Sequence, residues 1–115
     1  MKYIKSYENI SNYENTAEIK IGDFVKLKIS KKHYSDRYAE YVNSNTGIII
    51  KLTNNNGNSI KQCNLNEIFR FDVEFLNKNK DYDNIEHRFS IDKISEFAQS
   101  KEELETKLTA NKYNL

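Results

Sequence analysis

Between Ile21 and Leu52 the chain carries two apolar alternations of period two, and a fold has to satisfy both. In the first, Val25, Leu27 and Ile29 alternate with Lys26 and Lys28. This pattern predicts a strand over Asp23–Ile29 with one buried and one wet face. Gly22-Asp23 in front of it reads as a tight turn. In the second, Gly47 precedes Ile48, Ile49 and Ile50, with Lys51 and Leu52 behind them. Branched side chains suit a pleated, packed surface and lower helix preference. Strict alternation then sends Ile48, Ile50 and Leu52 to one side and Ile49 and Lys51 to the other. The remaining chain has to pack on these two strands.

Downstream, more strand signals recur at short intervals. Asn54-Asn55-Asn56-Gly57-Asn58 contains the Asn-Gly pair that favours a hairpin, so Ser59–Cys63 is expected to return as a strand with Ile60 inward. Asn64–Glu67 reads as a turn. Phe69, Phe71, Val73 and Phe75 alternate with Arg70, Asp72 and Glu74, and their rings would supply much of the core. Asn77–Asn84 reads as a solvated loop, since its acids do not follow calcium-loop spacing. His87, Phe89 and Ile91 alternate with Arg88 and Ser90 as a further strand, and Ile94 and Phe97 continue the apolar positions. Near the end, Ser100-Lys101-Glu102-Glu103 is a capping box that predicts a helix. That helix would carry a Glu103–Lys107 pair and a narrow stripe of Leu104 and Leu108, with Tyr113 and Leu115 closing the tail.

At 115 residues this is one domain of a size that can fold without disulfides or metal. The expected division is an N-terminal arm or short helix over 1–18, a barrel over 19–98, and a capped helix and tail over 99–115. The class is mainly β with a C-terminal α-helix. Net charge +1 with both signs mixed makes no bulk case for nucleic acid or membrane. No run of about 20 apolar residues is present, and Met1–Glu8 lacks the apolar middle of a signal peptide. The single cysteine cannot pair internally. These features lead to an expectation of an intracellular, cytoplasmic protein without membrane contact. Abundant Lys, Asn, Ile and Tyr with no Pro or Trp point to an A/T-rich genome.

The stretch with binding chemistry is the long connection over 30–45 and the strand before it. Between Lys20 and Arg37 stand six basic residues against two acidic ones, a local balance of +4. Lys26, Lys28, Lys31, Lys32 and Arg37 are followed or interleaved by Tyr34, Tyr38 and Tyr41. Basic plus aromatic chemistry suits phosphate and base stacking, and equally a protein interface. The i, i+4, i+7 spacing of the tyrosines also fits one face of a short helix packed on the domain. Acids placed among the cations in space would favour a protein partner over RNA.

Catalytic signals are missing. There is no P-loop, G-x-G-x-x-G, H-E-x-x-H or G-x-S-x-G motif. His33 and His87 each stand alone, His87 reads as a packed or half-exposed strand residue, and Cys63 as a small hydrophobe. No catalytic residue, metal, cofactor or small-molecule substrate is expected.

Ile21-Gly22-Asp23-x-Val25, then Thr46-Gly47-x-Ile49, then Phe71-x-Val73-x-Phe75 resembles an SH3-like small barrel of the KOW or a related kind, over about residues 20–97. In such barrels a G-D-x-V element begins the first strand and a glycine with a β-branched run marks the second. The resemblance implies about five strands and an aromatic-lined groove beside a long first loop. KOW-type barrels usually have a short, glycine-bearing connection there, whereas this one is long and tyrosine-rich. The expectation is therefore a non-enzymatic protein-interaction module, a small accessory or inhibitory factor that binds a protein or larger assembly through the basic tyrosine-rich loop. The alternative is a KOW-like RNA- or ribonucleoprotein-binding module.

Overall fold

The computed structural model describes residues 18–113. The expected N-terminal arm lies, up to residue 17, outside the described residues. Its central pair is the one the two alternations demand. Strand β2 (Phe24–Leu27) runs antiparallel to β3 (Thr46–Asn54), with Val25 opposite Gly47. Val25 and Leu27 are buried, as the alternation requires. The strand stops earlier than expected, but Ile29 beyond it is still buried. The tight turn before β2 is present. Gly22 has φ 98°, a left-handed conformation that glycine adopts without a Cβ penalty. The Asp23 carboxylate accepts from the Lys20 N–H at 3.0 Å, and the Asp23 carbonyl accepts from the Ile49 N–H at 2.9 Å. Strand β1 (Glu18–Lys20) precedes this turn and pairs with β5 (Gln62–Asn64) as a small separate ladder.

The facing expected along β3 is overturned by a β-bulge. Ile49 lies opposite Val73 and Lys51 opposite Asp72, so Ile50 is an extra residue without a partner on the neighbouring strand. A bulge reverses the facing of everything beyond it. Ile49 and Leu52 therefore both enter the core, while Ile50 stands 52% exposed. Gly47 sits where strands approach closely. A Cβ there would meet the Val73 Cβ at 3.1 Å.

After β3 the Asn-Gly turn forms, with Gly57 at φ 85°, and β4 (Ser59–Ile60) returns against it. The expected single strand over 59–63 is broken at Lys61, because β4 pairs with β3 while β5 leaves to pair with β1. Strand β6 (Phe69–Phe75) buries Phe69, Phe71, Val73 and Phe75 as expected. Asp72, expected outside, is also covered, since Arg88 closes over it. Strand β7 (His87–Ser90) ends before Ile91, which belongs to a 3-10 turn over Ile91–Lys93 rather than to the strand. Strand β8 (Ile94–Ala98) then pairs with β2.

The main path is thus β7-β6-β3-β2-β8, antiparallel throughout, with β4 attached at the side of β3. Five strands in a flat sheet would put β7 and β8 about 19 Å apart, four spacings of ~4.8 Å. A three-residue 3-10 turn joins them, and it rises only about 6 Å. The sheet has to curl to bring its two ends within that reach. The result is a small barrel-like, mainly β fold whose core is the inner face of β2, β3, β6 and β7.

Two helices complete it. Helix α1 (Asp36–Asn43) lies inside the long connection. Helix α2 (Lys101–Tyr113) is the expected capped C-terminal helix. Ser100 Oγ accepts from the Glu103 N–H at 3.1 Å, and the Glu103 carboxylate accepts from the Gln99 N–H at 3.1 Å. Leu104 is fully buried and Leu108 half-buried. The expected Glu103–Lys107 pair is replaced, because Glu103 is engaged in the cap. Lys107 Nζ instead donates to the Phe97 carbonyl at 2.9 Å and lies 5.3 Å from the centre of the Phe97 ring. The side chains of Tyr113 and Leu115 lie outside the described residues.

Candidate functional site

Of the three tyrosines, Tyr38 and Tyr41 lie on α1, and Tyr34 precedes its N-cap. Ser35 begins α1 by accepting the Tyr38 N–H on its hydroxyl at 3.2 Å, which satisfies one of the orphan donors of the first turn. Ala39 and Val42 point fully inward, and Tyr34, Tyr38 and Tyr41 pack beside them against the core. At the far end, the Asn43 side chain accepts from the Ile29 N–H at 2.8 Å and donates to the Ile29 carbonyl at 3.0 Å, which ties the helix to the end of β2.

The rings meet partners from distant segments. Tyr38 stacks on His87 with centroids 5.8 Å apart and planes at 16°. Tyr41 lies 4.9 Å from Tyr82 and 5.3 Å from Phe75, and Phe75 lies 5.0 Å from His87. The Tyr38 hydroxyl and His87 Nδ1 are 2.8 Å apart, and His87 Nε2 is 3.1 Å from the Tyr82 carbonyl. A carbonyl only accepts, so Nε2 carries the proton and Nδ1 accepts from the Tyr38 hydroxyl. The imidazole is neutral and held from both sides. Burial pushes the His87 pKa below its ordinary value and the Tyr38 phenol up to about 12. The two contacts tie α1 to β7 and to the loop before it. Burial also pushes the Cys63 thiol up to about 12, which leaves little nucleophilic thiolate. Among the described residues no group of three His, Cys, Asp or Glu side chains is placed to hold a metal ion, and no helix is long and apolar enough to cross a membrane.

The sequence-selected cations do not form one free face. Lys26 Nζ donates to the Asn45 carbonyl at 2.9 Å, and its burial lowers its pKa. Lys31 lies 3.9 Å from Glu40, and Arg37 lies 3.4 Å from Asp81. Lys28 and Lys32 are exposed. Acids therefore stand among the cations along α1, and the three rings spend much of their area on the cluster beneath.

Beside Tyr41 the surface opens into a cleft of about 230 Å³. Tyr41, Phe75 and His87 line its base, and Ile50 and Ile85, 52% and 51% exposed, stand at its edge. Glu74, Asp83 and Glu86 give it an acidic rim, with Lys78 bound to Glu74 at 2.8 Å. Sequence reasoning missed this cleft for two reasons. Alternation put Ile50 on one side with Leu52, whereas the bulge separates them, and Tyr82 and His87 meet Tyr38 across 44 and 49 positions of chain, a contact that no local period reports. No protein-family model, curated protein or solved structure matches the chain.

Proposed function

We propose that this protein is a non-enzymatic protein-interaction module, a small accessory or inhibitory factor that seats a segment of a partner protein in the cleft beside α1. One observation carries the reading: two isoleucines, each more than half exposed, flank a preformed cleft with an aromatic base. Large apolar side chains left in water at the edge of a pocket gain free energy when covered, at roughly 25 cal/mol per Å². The acidic rim selects a partner segment with apolar and basic side chains. The outer side of α1, with Arg37 and Glu40 and with Lys28, Lys31 and Lys32 before it in the chain, supplies the mixed-charge surround that usually borders such an interface. Tyr34, Tyr38 and Tyr41 shape the cleft by holding α1 in place. The SH3-like reading is supported by the antiparallel path, with its last strand returning to the first, and by the long connection beside that strand. A buried, unpaired Cys63 fits a reducing, intracellular setting.

The test is affinity capture of the tagged protein from its native lysate, with and without nuclease, alongside Ile50→Asp and Ile85→Asp variants checked by thermal melting. A partner retained after nuclease and lost by both variants is the expected result. Partners that disappear with nuclease, or that both folded variants keep, would sink the proposal.

A further inference from the structure

A different surface carries chemistry that the basic loop only suggested. Cross-strand partners share a face, so the sheet register lays out the outer face in rows. One row is Lys51, Asp72, Arg88 across β3, β6 and β7, an acid between two cations. The next is Thr53, Arg70, Ser90, a cation between two hydroxyls, of which that of Ser90 already donates to Asp92. Asp72 is already spoken for, since Arg88 Nε and Nη2 reach it at 2.8 and 3.4 Å. It is almost fully covered, while Arg88 keeps Nη1 without a partner among the described residues. Arg70 and Lys51 are exposed and have no hydrogen-bond or ion-pair partner among the described residues.

Over these rows lies a cleft of about 550 Å³ whose lining includes Lys51, Arg70, Arg88, Thr53 and Ser59 and no acid. A second cleft, of about 240 Å³, shares Arg70 and Arg88 and adds Tyr34 and Lys93, whose Nζ is paired with Asp92 at 3.3 Å. The two make one track, longer than a single anion needs, with the arginine pair in the middle.

We infer that this track binds the sugar-phosphate backbone of a single-stranded nucleic acid. Arginine forks and hydroxyls are the donors that phosphate oxygens take. Protein interfaces are anchored by buried aromatic or aliphatic side chains in pockets. Here the one exposed apolar residue in the lining is Ile68, which stands 71% exposed on the surface. Half-buried Tyr34 lines the second cleft, where its ring can stack with an unpaired base. A duplex keeps its bases from such a ring. The track is independent of the isoleucine-flanked cleft, so either surface can fail alone.

Fluorescence polarisation with a labelled mixed-sequence RNA of about a dozen nucleotides tests it, between about 50 and about 200 mM salt. Three phosphate contacts predict a slope of log affinity against log salt near −2, at about 0.7 per contact on a single strand. Arg70→Glu and Lys51→Glu should each weaken binding about tenfold or more, while Lys101→Glu on α2 leaves it within about twofold. Four results would each overturn the proposal. These are no binding at the lowest salt, equal loss from Lys101→Glu, greater loss from Lys31→Glu or Arg37→Glu, and displacement of the RNA by a polyglutamate peptide at equal charge. Duplex RNA bound more tightly than the single strand would overturn the assignment as well. Melting curves of the variants establish that each is folded.

Discussion

Tyr38 and His87 show how much one hydrogen bond between distant residues decides. The phenol donates to the imidazole Nδ1 at 2.8 Å, and the imidazole donates its Nε2–H to the Tyr82 carbonyl. His87 is only 8% exposed, so a lost partner cannot be replaced freely by water. Tyr38→Phe removes one oxygen, keeps the ring stack and leaves Nδ1 unsatisfied, at a cost of about 1–3 kcal/mol. Urea unfolding measures it, and a change within error would show that the contact is incidental. The pH dependence has a definite sign. Burial lowers the folded pKa of His87 below 6.5, so the unfolded chain binds the proton more readily. Stability from the neutral imidazole is complete above the unfolded pKa and is lost as pH falls towards the folded one. An NMR titration of the His87 ring should therefore have its midpoint below 6.5, and the melting temperature should fall on acidification through that window. A midpoint above 6.5 would reverse the assignment. The sequence pointed to a packed His87 from the alternation around Phe89, but it held no sign of the Tyr38 partner. Period-two patterns report which side a residue faces, and not what it meets there.

At the scale of elements, legibility followed periodicity and failed where a strand broke its own period. Tyr38 and Tyr41 formed one helix face with Tyr34 just ahead of the N-cap, and the two apolar alternations of β2 and β6 stood on the core side. The bulge at Ile50 was hidden, because three successive isoleucines fit either register equally well. This one extra residue lets Ile49 and Leu52 both face the core, with Ile50 and Lys51 exposed between them. Strand β8 was hidden too. Ile94 and Phe97 are three apart, and a register shift between Lys26 and Leu27 is what lets both positions stay on β2. The capping box was legible because its donors and acceptors are local. The docking of α2 rests on few side chains, with Leu104 fully buried and Leu108 half-buried. Leu104→Ala is expected to cost about 2–4 kcal/mol in unfolding free energy, with Leu108→Ala costing less than half of that. Equal costs in a urea titration would mean that the helix is seated differently from the Leu104-centred contact.

For the molecule as a whole, each strand's place in the sheet sets the order in which parts can come apart. Strand β3 is flanked by β2 and β6, and its ladder with β6 runs from Gly47 to Asn54. Its neighbours bury Val25, Phe71 and Val73 against it, so its amides can open only when the barrel does. The β1–β5 ladder is three residues long on each side and belongs to a separate two-stranded sheet. Two strands alone are marginal in water. What holds this pair is Ile19 and Cys63, both buried in the common core, and the Ile21 N–H bond to the Lys61 carbonyl. Those attachments are few compared with the ones around β3. Native-state hydrogen exchange should therefore separate two classes of amide. Ile49, Val73 and their neighbours in β3 and β6 should exchange with the free energy and the denaturant slope of global unfolding. Ile19 and Cys63 should exchange at lower free energy with a shallow slope, as a local opening does. Coincidence of all these amides on the global isotherm would make β1 and β5 integral to the barrel. Slower exchange in β1 than in β3 would contradict the assignment of the β3–β6 ladder as the structural centre.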